Sequence, residues 1–117
     1  MQSKKYNDDK RLSKINDINF DTMSREEIIK IVEDILSELN IPEEIDTRTK
    51  AVLSNSDAYL LRNLKEKIGY GIKNRGKEFW PAKIYMQLGH ISYLRGNYIG
   101  AIKSYMIAQS LEPNDLN

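Results

Sequence analysis

No cysteine occurs among the 117 residues of the chain, and that absence removes disulfides, thiolate metal sites and cysteine catalysis together. Small secreted domains commonly depend on disulfides, so a chain without them is expected in a reducing cytoplasm. Histidine is nearly as scarce, with His90 the single example. One imidazole with neither a thiolate nor a His–Glu spacing beside it does not build a common zinc site. No apolar run reaches the roughly 18 residues needed to span a bilayer. The first residues carry lysines with no apolar stretch behind them, so no signal peptide is expected. An excess of charge of one sign is also lacking. The formal net charge is +1, which argues neither for nor against a nucleic-acid partner.

What is present is a chain of single-domain size, 40% hydrophobic and 30% charged, a composition that suits a small helical protein with much solvated surface. Its charge is segregated. Residues 21–46 hold nine acidic and two basic side chains, and residues 48–83 hold nine basic and three acidic ones. Two helical segments that attract each other when packed is the plainest reading. A basic face for an acidic partner, or for nucleic acid, is the sharper one.

Residues 1–22 are polar, with Ile15, Ile18 and Phe20 scattered at no sustained period, and a flexible arm with at most one short docking turn is expected there. Ser24-Arg25-Glu26-Glu27 forms a capping box, in which the serine hydroxyl and the glutamate each satisfy a free backbone amide. Behind it Ile28, Ile31, Val32, Ile35, Leu36 and Leu39 recur at helical steps, predicting a one-sided helix that ends near Asn40. Its wet side carries Glu26, Glu33 and Asp34. Pro42, followed by Glu43, Glu44 and Asp46, suits the start of another helix, with Ile45, Val52 and Leu53 as its apolar face. Ser56 or Asp57 is expected to cap the next, which runs through Leu60, Leu64, Ile68 and Ile72. Gly69, Gly71 and Gly76 blur its end, and Asn74-Arg75-Gly76 is the expected stop. These glycines follow no strand, so no phosphate-cradling loop is implied. Trp80, before Pro81, is read as a core or hairpin anchor, with an exposed partner-binding tryptophan as the alternative.

From Ala82 onward the pattern sharpens into two helices joined at Gly96-Asn97. Gly96 can adopt the left-handed conformation that ends the first, and Asn97 can cap the second. Small residues, Gly89, Ala101 and Ala108, stand where two backbones must come close. Tyr85, Leu88, Tyr98, Ile102, Tyr105 and Leu111 fill the space between them, and Pro113 closes the second helix.

Residues 82–115 resemble the tetratricopeptide repeat, a helix–turn–helix unit of about 34 residues. Tyr85, Leu88, Gly89, Ala101, Tyr105 and Pro113 fall on its signature steps, and Tyr98 and Ala108 match two further preferred positions. Ser92 stands where the family prefers tyrosine, with Tyr93 one residue late. Thirty-four residues upstream, Asn55 and Lys67 stand opposite Gly89 and Ala101, so no second repeat is legible there. One hairpin does not bury its own apolar faces, and about three repeats are normally needed for stability. The earlier helices, or another chain, are therefore expected to complete the core.

The resemblance implies an all-α fold of antiparallel helical hairpins, a solenoid fragment of about five helices, with residues 23–117 as one domain. It implies a protein–protein interaction or adaptor module and no enzyme. The family binds peptides on the first helix of each hairpin, where the matching positions are Lys83, Met86, His90, Tyr93 and Leu94. The variant that clamps a terminal carboxylate has asparagine where this chain has His90. Ile99, Met106 and Ile107 add an apolar stripe on the last helix, at steps the family usually leaves polar. A second copy of the chain or a partner's helix is expected to cover it, the homodimer first because two-fold dimers are the commonest oligomers. No cofactor, metal or catalytic residue is expected. The competing reading is a nucleic-acid-binding regulator using the basic stretch 48–83.

Overall fold

A computed structural model describes residues 10–39 and 54–111. Every regular element among them is helical: α1 (Lys10–Asn16), a 3-10 turn (Phe20–Thr22), α2 (Arg25–Glu38), α3 (Asn55–Arg75), α4 (Ala82–Leu94) and α5 (Tyr98–Leu111). The all-α expectation therefore holds. The helix expected after Pro42 and the closing Pro113 lie outside the described residues.

The local signals that involve neighbouring residues are realised. Ser24 Oγ accepts from the Glu27 amide at 3.1 Å, and Glu27 Oε1 accepts from the Ser24 amide at 3.0 Å. Of the periodic set on α2, Ile28, Val32, Ile35, Leu36 and Leu39 are buried. Gly76 ends α3 at φ +96 and Gly96 ends α4 at φ +80, left-handed values that glycine adopts without a Cβ penalty. Asn97 Oδ1 accepts from the Gly100 amide at 3.0 Å and so caps α5.

Three expectations need correction. Residues 10–22 do not form a loose arm. Leu12, Ile15, Ile18 and Phe20 are all buried, because α1 lies along α3 and the 3-10 turn packs on the same helix. The cap of α3 is Ser54, whose hydroxyl accepts from the Asp57 amide. Asp57 instead pairs with Arg11 at 3.0 Å and ties α1 to α3. Finally, Gly69 and Gly71 do not blur α3, which continues through both to Arg75.

Gly71 has a packing role. A Cβ there would lie 2.4 Å from Trp80 Cζ2 and 3.3 Å from Phe20 Cβ. The missing side chain leaves a notch that the indole fills. Trp80 is 1% exposed and meets the Phe20 ring edge-on, with centroids 5.2 Å apart. Arg75 closes this corner: its guanidinium stacks 3.6 Å from the Phe79 centroid and donates to the Phe20 and Met23 carbonyls.

The core runs between these layers, with α4 inside. Eight of its residues are buried, against α2, α3 and α5. Lys83 on α4 pairs with Glu33 on α2 at 2.7 Å, so part of the charge segregation serves internal packing. Tyr85 on α4 donates to the Lys77 carbonyl at 2.8 Å, and burial pushes its phenol from 10.0 up to about 12. The folded state thus keeps Tyr85 neutral where the unfolded chain ionises it. That contribution is complete below about pH 10 and is lost as pH rises towards 12. Tyr85→Phe is expected to cost about 1 kcal/mol at neutral pH through the lost hydrogen bond. Its gap to wild type should narrow between pH 10 and 12, as read from urea midpoints. A constant gap would show that the phenol is not held neutral.

Candidate functional site

The last two helices form a tight antiparallel pair across a three-residue turn. A Cβ on Gly89 would lie 2.4 Å from the Tyr105 ring, so the two backbones approach here because α4 has no side chain at that point. Tyr105 cannot swing away freely, since its hydroxyl sits 2.6 Å from His90 Nδ1. The two rings meet edge-on, with centroids 5.5 Å apart. Burial, and after it Tyr93, raises the Tyr105 phenol above its ordinary value. Gly89→Leu is expected to cost on the order of 1–3 kcal/mol by overpacking. The melting temperature should fall by roughly 4–8 °C per kcal/mol, and an unchanged value would contradict this contact.

This packing redistributes the residues expected to line a groove on α4. His90 is buried, at 8% exposed, because α5 lies over it. Met86 and Leu94 are half-buried and rest on the core. Tyr93 is half-buried with its ring edge-on to Tyr98, centroids 5.4 Å apart. Lys83 is exposed but paired with Glu33. Met86, His90 and Tyr93 therefore do not share one open face, and His90 is a hairpin contact.

The outer side of α5 is different. Tyr98 is 60% exposed, Ile99 70%, Ile102 58% and Met106 64%. At 3.6 residues per turn these four fall within about 100° of arc. Two were expected here, Ile99 and Met106. Tyr98 and Ile102 were expected to face inward and do not. Ile107, expected outward, is half-buried on the core. The inward side is carried by Ala101 and Ala108, at 2% and 0% exposed. α5 approaches α4 on its alanines, and its bulky residues are left on the far side. Ser104 and Leu111 are partly covered on the flank.

The described residues bear differently on the other chemistries. No three His, Asp or Glu side chains among them gather to hold a metal ion, and none of their helices is long and apolar enough to cross a membrane. A cleft of about 100 Å³ lies between the 3-10 turn and α3, lined in part by Asn19, Asp21, Lys67 and Asn74. Small-molecule sites usually span roughly 300–1,000 Å³, and Asn74 donates across this one to Asp21. Several cations of the 48–83 stretch are engaged internally: Arg62 with Glu66, Lys67 with the Asn16 carbonyl, Arg75 with two carbonyls and Lys83 with Glu33. Arg48 and Lys50 lie outside the described residues. Compared with protein-family models, curated proteins and solved structures, the chain finds no match in any of the three.

Proposed function

We propose that this protein is a protein-interaction module of the tetratricopeptide type, without catalytic activity of its own, and that the outer face of α5 docks a helical segment of another polypeptide. The observation that carries this is the solvent-facing set Tyr98, Ile99, Ile102 and Met106 on one side of a single helix. Scattered surface apolar residues need no explanation, whereas a contiguous stripe marks a contact. The residues at repeat-like steps, Tyr85, Leu88, Gly89, Ala101, Tyr105 and Ala108, support the family reading. In that reading a hairpin presents one helix to whatever stacks next. A cysteine-free sequence suits a reducing cytoplasm, where we propose the module works.

A two-fold dimer through α5 would put this helix against itself. Its only charge is Lys103, it has no acidic residue, and Arg95 stands just ahead of it. Among the described residues only like charges would meet across such a contact, and a different chain is the better-matched cover.

The test pairs wild type with an Ile102→Glu, Met106→Glu variant. Both side chains are exposed, so the variant should keep its fold by circular dichroism. A protein captured from its own cells by wild type and lost at least tenfold on the variant is the expected result, since charge introduced into the centre of an interface typically costs 2 kcal/mol or more, about thirtyfold in affinity. Identical capture on both resins, with both proteins monomeric by light scattering, would remove α5 as a docking face.

A further inference from the structure

The rim of the α5 face says what should sit on it. Residues 82–111 contain three cations, Lys83, Arg95 and Lys103, and no acidic residue. Four cations of the described residues form ion pairs: Arg11 with Asp57, Lys14 with Glu38, Arg62 with Glu66 and Lys83 with Glu33. Arg95 and Lys103 are exposed and have no carboxylate partner among the described residues. Arg95 lies in the turn before Tyr98, at the N-terminal end of the apolar face. Lys103 follows Ile102 by one residue and so borders that face along its length.

Resting on the docking reading above, we propose that the segment seated on α5 is an acidic amphipathic helix, its apolar side on Ile99, Ile102 and Met106 and its carboxylates against Arg95 and Lys103. An apolar centre with a rim of one sign selects a partner of the opposite sign, which adds specificity and speeds encounter. A third cation strengthens the same end. Lys65 on α3 is held below its ordinary pKa, by burial and then by the nearby Arg95. The free protein thus keeps two like charges close together, and an incoming carboxylate relieves that repulsion.

Among the described residues, a second copy offers no free acidic amphipathic helix. The acidic helix of the chain, α2, turns Ile28, Val32, Ile35 and Leu36 into its own core, so it has no free apolar side to offer. A lipid surface fits less well. Electrostatic docking to anionic membranes usually takes roughly four to eight clustered cations, and two border this face.

The experiment uses two synthetic peptides with the same leucines and isoleucines at helical spacing. One has glutamate at every polar position and the other has lysine. Each is fluorescently labelled and titrated into the full chain, with binding read by anisotropy. The glutamate peptide is expected to bind about tenfold more tightly or better. Its affinity should fall as salt rises from roughly 50 to 500 mM, as screening predicts. An Arg95→Glu, Lys103→Glu variant should invert the preference.

Equal binding of both peptides, abolished by Ile102→Glu with Met106→Glu, would overturn the acidic partner and leave the docking face standing. A wild-type dimer that the same pair of substitutions makes monomeric, with neither peptide bound, would give the face to a second copy. Co-sedimentation with phosphatidylserine vesicles, again with neither peptide bound, would give it to a lipid surface. Either result overturns the proposal. Failure of all these, together with identical capture by wild type and variant, would sink the docking reading as well.

Discussion

Trp80→Ala is expected to destabilise the protein by about 3–5 kcal/mol, the range for deleting a large buried aromatic. Domains of this size are stable by only about 5–15 kcal/mol, so the variant should be partly unfolded at physiological temperature. The indole is 1% exposed and fills a space made by three elements. Gly71 leaves the notch in α3, Phe20 meets the ring edge-on, and Arg75 with Phe79 seals the corner. Little can collapse into the vacancy, because Phe20 is held in a 3-10 turn whose carbonyl accepts from Arg75. Trp80→Phe provides the contrast. The indole Nε1 has no hydrogen-bond partner among the described residues. Phenylalanine therefore removes an unsatisfied buried donor while keeping much of the volume, and its cost should fall below 2 kcal/mol, roughly the volume-conserving range. Urea midpoints followed by circular dichroism measure both. Equal costs for the two variants would mean that the indole's bulk is not what the notch requires.

The second large effect concerns α1. Ile15→Ala is expected to cost about 2–5 kcal/mol, and Leu12→Ala a similar amount. A flexible arm would leave the melting temperature of both variants unchanged. Ile15 is 1% exposed and Leu12 5%. Around them Arg11 bonds to Asp57 and Ser56, Lys14 to Glu38, and Lys67 to the Asn16 carbonyl. These ties join α1 to both α2 and α3. Surface pairs contribute little each, about 0–1 kcal/mol, so the apolar contacts should dominate. Arg11→Ala is accordingly expected to shift the melting temperature much less than Ile15→Ala does.

Residues 10–22 were hard to read for a reason that follows from their length. α1 has seven residues, under two turns, and only Leu12 and Ile15 mark its inner side. Two apolar residues three apart do not establish a period. Their partners lie some fifty residues away, as in Arg11 with Asp57 and Arg75 with the Phe20 carbonyl. The same holds for Gly71. A glycine inside a helix looks like a weakness until the tryptophan that occupies its place is known.

By itself the sequence determined what neighbouring residues decide between them. It set the capping box at Ser24, the apolar stripe of α2, the stop at Gly76, the left-handed turn at Gly96 and the close approach at Gly89. The first four depend on backbone geometry or on side chains within a turn or two, and the last on a small residue at the crossing of one helical hairpin. That Tyr98 and Ile102 lie on the side of α5 away from the core was decided only in the folded molecule. Apart from Lys103, α5 has no charged residue to mark a wet face, and apolar residues surround it. Ala101 and Ala108 were expected inward and are buried, but periodicity grouped Tyr98 and Ile102 with them and could not show that these two face out. Tertiary packing chose the alanines, because a helix lying across Gly89 must come close and only small side chains permit it. That choice buried His90 against Tyr105 and left Tyr98, Ile99, Ile102 and Met106 in solvent.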